Sequence, residues 1–301
     1  MTNGPPSESP LARMADAKLT AAEQRLADVV ARRYPEAALL SAHALATAAE
    51  VSPASVTRFA KKLGYHDFND LQTNLAVEMR ARLSTPPGRL TASPPGRHKT
   101  TIELLREVIA RDRDNLNATL AMLDAELLES LRDRLARTPR SSIYIVGSKK
   151  GGVVAAYFAM QLRQVRSRVF LLELNDRTSD QVLDMTADDL LVIFEPRRAT
   201  AALVRLITEC RALGMSVASF TDENPPAVIA KSEYLFRTKV DAVSILDSYA
   251  AMFALCDALL AALVQRNLAS MRARTDRLEA LNVAFDTWNQ KTPQDVKRRG
   301  K

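Results

Sequence analysis

The sequence predicts an α + α/β protein, with an all-helical N-terminal domain and a three-layer α/β/α C-terminal domain on a mostly parallel five-stranded sheet. Three observations predict it. Before residue 84, apolar residues recur at three- and four-residue spacing without a β-rich run. A segment dense in Pro, Gly and Ser then interrupts the chain. Beyond residue 139, five short β-rich runs alternate with helical stretches, which implies a parallel sheet covered by helices.

At 301 residues, 47% apolar and 26% charged, the chain is about two domains long and globular in composition. Its longest near-apolar stretch, 249–264, is broken by Asp257 and is shorter than the roughly 20 residues of a bilayer span, so no membrane partner is expected. The first ten residues carry prolines and a glutamate instead of a basic segment and an apolar core, so the cytoplasm is the expected compartment. Cys210 and Cys256 sit inside helical patterns, and His43, His66 and His98 are scattered. Disulfide scaffolds, metal sites and cofactors are therefore not expected. The 42 basic and 35 acidic residues leave a net charge of +7, which permits a polyanionic partner.

In order along the chain, residues 1–18 read as a disordered tail and 19–83 as a helical domain with room for five short helices. Residues 84–100 form a linker, where Pro-Pro-Gly-Arg occurs at 86–89 and again at 94–97. Such a composition buries too little surface to offset chain entropy. Residues 101–139 read as a helical connector whose apolar set includes Leu104, Leu105, Val108, Ile109, Leu116, Leu120 and Leu123. Within 140–266, strands are expected at 142–146, 168–172, 189–194, 215–220 and 233–236, with helices at 153–165 and 200–213 among them. Residues 267–301 read as an amphipathic helix carrying Leu278, Leu281, Phe285 and Trp288, followed by a basic tail.

Two local patterns carry chemistry. In the first domain, a short helix at 42–49 is interrupted by Glu50 and Val51, and Ser52-Pro53 then supplies an N-cap with proline at the first helical position. The second helix runs to Leu63 and stops at Gly64, so the pair forms a helix-turn-helix. Val56, Phe59, Ala60 and Leu63 share one face, leaving Ala54, Ser55, Thr57, Arg58, Lys61 and Lys62 outside it. No acid lies between Val51 and His66 to cancel those cations. Small residues at the start and bases at the end suit a helix that reaches base edges and phosphate. A solvated helix face has the same composition.

In the second domain, Val146-Gly147-Ser148-Lys149-Lys150-Gly151-Gly152 joins the first strand to a helix, and Phe194-Glu195-Pro196-Arg197-Arg198-Ala199-Thr200 follows the third. Both loops fall at the carboxyl ends of parallel strands, where such folds bind ligands. Free backbone N–H groups, a helix N-terminus and four cations favour a small anionic metabolite, although exposed loop charges give the same pattern. The glycine spacing fits neither a dinucleotide fingerprint nor a Walker loop. Glu173, closing the second strand, keeps a nicotinamide enzyme as an outside possibility.

The run Leu19-Thr-Ala-Ala-Glu-Gln-Arg-Leu-Ala, then Leu45-Ala-Thr-Ala-Ala-Glu-Val-Ser-Pro-Ala-Ser-Val-Thr-Arg-Phe-Ala-Lys-Lys-Leu-Gly-Tyr and Phe68-Asn-Asp-Leu, resembles the RpiR/MurR family of bacterial transcription regulators. The resemblance implies double-stranded operator DNA as partner, with Ser52, Ser55, Thr57 and Arg58 facing it and Lys61 and Lys62 on its backbone. Residues 141–266 resemble the SIS (sugar isomerase) domain of the same regulators. There the first loop resembles Gly-x-Gly-x-Ser and the second Ser-x-Ser-Gly-x-Thr, motifs that hold a sugar phosphate. Here Lys149, Gly151, Phe194 and Pro196 replace four of those positions, while Gly147 and Thr200 remain. The second loop is closer to an Arg-rich subgroup with Phe-x-Arg-Tyr, and Asp247-Ser248 also fits that subgroup.

The expectation is a ligand-responsive regulator, a homodimer or homotetramer on a two-fold symmetric operator. Its effector residues would be Gly147, Ser148, Lys149, Lys150, Gly151, Arg197, Arg198, Thr200, Asp247 and Ser248, and the helices at 101–135 and 245–290 would be candidates for subunit contact. The alternative is a SIS-type sugar-phosphate isomerase or sugar-binding enzyme with an accessory helical domain. Against it, all three histidines precede residue 99, and two adjacent arginines are expected to lower the pKa of Glu195, the loops' only acid.

Overall fold

The computed structural model describes residues 9–33, 36–83, 87, 98–137, 141–266 and 268–285. It divides into two compact units, Met1–Thr100 and Thr101–Lys301. The duplicated Pro-Pro-Gly-Arg linker and the basic tail, apart from Pro87, lie outside the described residues.

The first unit holds helices α1 (Pro10–Asp16), α2 (Ala21–Arg32), α3 (Ala42–Ala48), α4 (Pro53–Lys62) and α5 (Phe68–Leu83), with a 3₁₀ turn at Glu36–Leu39. Side-chain oxygens of Ser9, Thr20, Ser41 and Ser52 cap α1 to α4, each contributing about 1 kcal/mol. The helices enclose a core that includes Leu26, Val30, Leu45, Val56, Phe59 and Leu71. One expectation is corrected here. Residues 10–16 of the expected tail form α1, because Met14 enters that core. Arg13 also donates to the Leu63 carbonyl at 2.8 Å and lies over the Tyr65 ring at 5.5 Å.

The second unit begins with α6 (Thr101–Met122) and α7 (Ala125–Ala136) and continues through β1 (Ile143–Gly147), α8 (Gly151–Val165), β2 (Val169–Leu171) and α9 (Thr178–Val182). β3 (Leu190–Phe194), α10 (Ala201–Ala212), β4 (Ser216–Thr221), β5 (Tyr234–Arg237), α11 (Ala250–Arg266) and α12 (Leu268–Ala284) complete it. All neighbouring strands are parallel, in the order β2-β1-β3-β4-β5. Ile143 and Ile145 pack into one core cluster, while Tyr144 and Val146 pack into another. That alternation buries both sheet faces, so β1 and β3 read as near-continuous apolar runs, while β4 carries the buried hydroxyls of Ser219 and Thr221. On one face Phe194, Phe220 and Phe236 stack in sequence, with centroids 4.7 and 5.4 Å apart.

Two expectations differ in detail. The helical stretch from 101 to 135 is broken at Leu123 and Asp124, because the Asp124 carboxylate accepts from Leu127 N–H and starts a new helix. The helix after residue 267 forms, yet none of its described side chains is buried. It is attached by a polar contact: Arg274 donates to the carbonyls of Arg163, Gln164 and Arg166 around the end of α8. Among the described residues, no single helix is long and apolar enough to cross a membrane, and no cluster of His, Cys, Asp and Glu is placed to hold a metal ion.

Candidate functional site

Each unit carries one candidate site. In the first, α3 and α4 are joined by a turn in which Glu50 takes φ 53°, and Arg25 of α2 fixes that turn by donating to the Ala49 carbonyl at 3.1 Å. Val56, Phe59 and Ala60 bury one face of α4, and Ala54, Thr57, Arg58, Lys61 and Lys62 are exposed on the rest. Ser52 is exposed and caps the helix, its hydroxyl accepting from Ser55 N–H. Ser55 is half-buried, and Arg58 donates to its hydroxyl at 3.2 Å. The outward face therefore presents small polar groups at its start and cations at its end.

Charge on that face is not wholly free. Glu23, thirty-nine residues before Lys62, forms an ion pair with it at 2.5 Å while also accepting from Thr20 N–H. Lys62 and those capping bonds hold the Glu23 carboxyl below its ordinary pKa. The acid-free stretch seen in sequence thus acquires an acid from α2, leaving Arg58 and Lys61 as the cations of the exposed face with no ion pair among the described residues.

In the second unit, the loops after β1 and β3 lie side by side where the strand order reverses, the crevice at which open parallel sheets bind ligands. Two glycines let the backbones meet. A Cβ on Gly147 would stand 2.4 Å from the Gly151 carbonyl group, and one on Gly151 would stand 2.0 Å from the Phe194 carbonyl oxygen. Lys149 bends the loop with φ 48°, a left-handed conformation disfavoured for a side chain with Cβ. This close approach brings Ser148 against Glu195. The Ser148 hydroxyl and N–H both donate to the Glu195 carboxylate, and both residues are buried.

The structure corrects the expectation for Glu195. Burial pushes its pKa up from 4.5 to about 7, with Ser148 and then Lys149 opposing the shift. The arginines do not lower it, because Arg197 turns elsewhere: it pairs with Asp247 at 2.8 Å and reaches Asp222 at 3.8 Å. Lys150 also meets Asp247, at 3.6 Å. Asp222, just past the end of β4, has its carboxyl pKa raised by burial, opposed first by the N–H of Asn224 and then by Arg197. Of the four loop cations, then, Arg197 and Lys150 have carboxylate partners, while Lys149, Lys150 and Arg198 are exposed. Thr200 caps α10, accepting from Leu203 N–H.

Beside these loops, residues 242–248 and the first half of α6 enclose a cleft of about 380 Å³, within the size range of small-molecule sites. Its wall includes Leu104, Val108, Arg111, Asp112, Asp247 and Ser248. Ser248 donates to Asp112 at 2.6 Å, while Asn115 donates to the Asp241 carbonyl and Lys239 N–H to Thr119. The pocket wall is thereby fastened to α6. Sequence reasoning missed Glu23, Arg25, Asp112 and Asp222, which carry no local motif and reach their partners only through tertiary packing.

Comparisons with known proteins match the two-domain architecture. Residues 10–82 match the model of a helix-turn-helix domain of the rpiR family, and residues 138–262 match that of a SIS domain. The chain is 25% identical over 269 residues to the uncharacterized HTH-type transcriptional regulator YfhH of Escherichia coli K12, covering 87% of this chain and 94% of that one. Its fold is similar to the sugar isomerase domain of an RpiR transcription factor from Sphaerobacter thermophilus, with TM-score 0.55 and 20% identity over 59% of this chain and 99% of that one. It is also similar to the Vibrio vulnificus NanR protein complexed with ManNAc-6P, with TM-score 0.56 and 16% identity, covering 92% and 99%.

Proposed function

Starting from a chain that carries an rpiR-family helix-turn-helix domain followed by a SIS domain, the architecture of an rpiR-type transcription regulator, we propose that it binds a two-fold symmetric operator and senses a small metabolite in its sheet-edge pocket. The observation that carries this reading is α4, whose apolar face is buried while Ala54, Thr57, Arg58 and Lys61 face outward. Ser52 and Ser55 sit at the N-terminal end, where a recognition helix reaches bases, and Lys61 and Lys62 lie at the end nearer phosphate. In this reading Gly147 and Gly151 shape the effector loops, Asp247 and Ser248 line the cleft, and Ser148, Lys149, Lys150, Arg197, Arg198 and Thr200 belong to the two loops that would meet the effector. The protein acts where DNA is, in the cytoplasm, as a homodimer or homotetramer.

The test is a gel shift and footprint with DNA flanking the protein's own gene. A sequence-specific shift is expected, and Arg58→Ala weakens it by about 1 to 3 kcal/mol. Unchanged affinity and salt slope in that variant would remove Arg58 from the interface.

One observation favours an isomerase instead: a buried carboxyl with a pKa near 7 suits a general base. Against it, the two donors of Ser148 already engage that carboxylate. Interconversion of aldose and ketose phosphates by the purified protein would favour the enzyme; a specific operator shift without turnover favours the regulator.

A further inference from the structure

We propose that the Glu195 carboxyl occupies the donors of the β1–α8 loop from within the chain, so the loop does not take up a phosphoryl group and the effector is one that lacks it. This deepens the regulator reading and rests on it for the pocket's role.

A loop of this kind, running from a parallel strand into a helix, offers backbone N–H groups and the positive helix end to an anion. Here the anion is part of the chain. Glu195 accepts both the N–H and the hydroxyl of Ser148, the residue whose donors point into the turn, and Lys149 adds its charge beside them. The position is fixed by backbone. Gly151 packs with its Cα against the Phe194 carbonyl, one residue before Glu195, with no space for even a methyl group. Glu195 itself is 5% exposed, so it does not leave the loop by rotating into solvent without uncovering Ser148.

The rest of the pocket repeats the pattern. Arg197 stands between Asp222 and Asp247, and Lys150 shares Asp247. A phosphoryl dianion at the loop would meet the Glu195 carboxylate directly, with Asp222 and Asp247 holding the nearest arginine, and like charges at such range disfavour each other. A ligand without a phosphoryl group meets no such repulsion.

The experiment is calorimetric titration of the full chain with sulfate and with glucose 6-phosphate at about pH 8, where Glu195 is ionised. Wild-type protein is expected to bind neither below about 1 mM. Glu195→Ser, which removes the carboxylate and supplies a hydroxyl, is expected to gain sulfate affinity by about tenfold or more. Sub-millimolar binding of either probe by the wild type overturns the proposal, whether or not the variant folds. A variant that keeps the wild-type circular dichroism and gains no affinity also overturns it. A gel shift on the same wild-type preparation reads the regulator assignment separately. Sulfate binding with an intact operator shift sinks this proposal alone, and absence of any DNA shift sinks the regulator reading while the titration still decides this one.

Discussion

Glu195 shows how a single side chain changes meaning between sequence and structure. In sequence it stands two residues from Arg197, and proximity along the chain suggests a lowered pKa. In the fold, Arg197 spends its charge on Asp247 and Asp222, and burial raises Glu195 to about 7. The consequence for stability has a definite sign. A folded pKa above the ordinary 4.5 means the native state binds this proton more tightly than the unfolded chain. The associated stability is fully present below about pH 4.5 and is lost as pH rises through about 7. Wild-type protein should therefore lose on the order of 2 to 3 kcal/mol more than Glu195→Gln between those limits. Urea unfolding of both proteins at pH values on either side of the window measures it, and parallel pH profiles would refute the shift. Lys62 teaches the same lesson in reverse. Its place on the exposed face of α4 was legible from three- and four-residue spacing, but its partner Glu23 lies on another helix and obeys no local rule.

Elements were more legible than pairings, because period and capping are written locally. The five strands fall within a residue or two of the β-rich runs that predict them, since strands buried on both faces are mostly apolar and β-branched or aromatic. Ser52, Pro53 and Gly64 mark both ends of α4 for the same reason. What escaped was any feature that depends on a distant surface. The break at Asp124 interrupts no apolar pattern, and α12 is held by Arg274 on carbonyl oxygens, not by an apolar stripe. The loop after β1 was legible as a strand-to-helix turn, though not the reason for its glycines, which depends on β3 lying beside it. Gly151→Ala should cost about 1 to 3 kcal/mol in chemical denaturation, because its methyl group would sit 2.0 Å from a backbone oxygen of β3. Gly152→Ala, whose Cβ would lie 3.1 Å from the Gly147 oxygen, should cost less. Equal stabilities of the two variants would show that the strand and the loop separate freely.

At the scale of the whole molecule, the regulator reading requires two recognition helices on one operator, and each chain supplies one. α6 offers the surface for pairing. Ile102, Leu105, Ile109, Leu116 and Leu120 lie along one stripe of the helix and are between 39% and 71% exposed, whereas Asn115 and Thr119 are buried and bond to the segment beside the pocket. Ile102, Ile109 and Leu116 recur at seven-residue spacing, the repeat by which helices pack against a copy of themselves. An exposed apolar stripe of this length is unfavourable in water, and in the regulator reading a second copy of the chain would cover it with the self-complementary contact that two-fold symmetry demands. In that reading the helix would couple ligand and operator, since one face meets the pocket wall and the other would meet the partner. Leu105→Glu with Ile109→Glu should convert the assembly to monomers in sedimentation analysis, with helix content retained because both side chains already face solvent. Operator affinity should fall by about 10²-fold or more as the second recognition helix ceases to act at high effective concentration. A double variant that keeps the wild-type mass would move the interface elsewhere. A wild-type chain that sediments as a monomer would remove the stripe's assigned partner altogether.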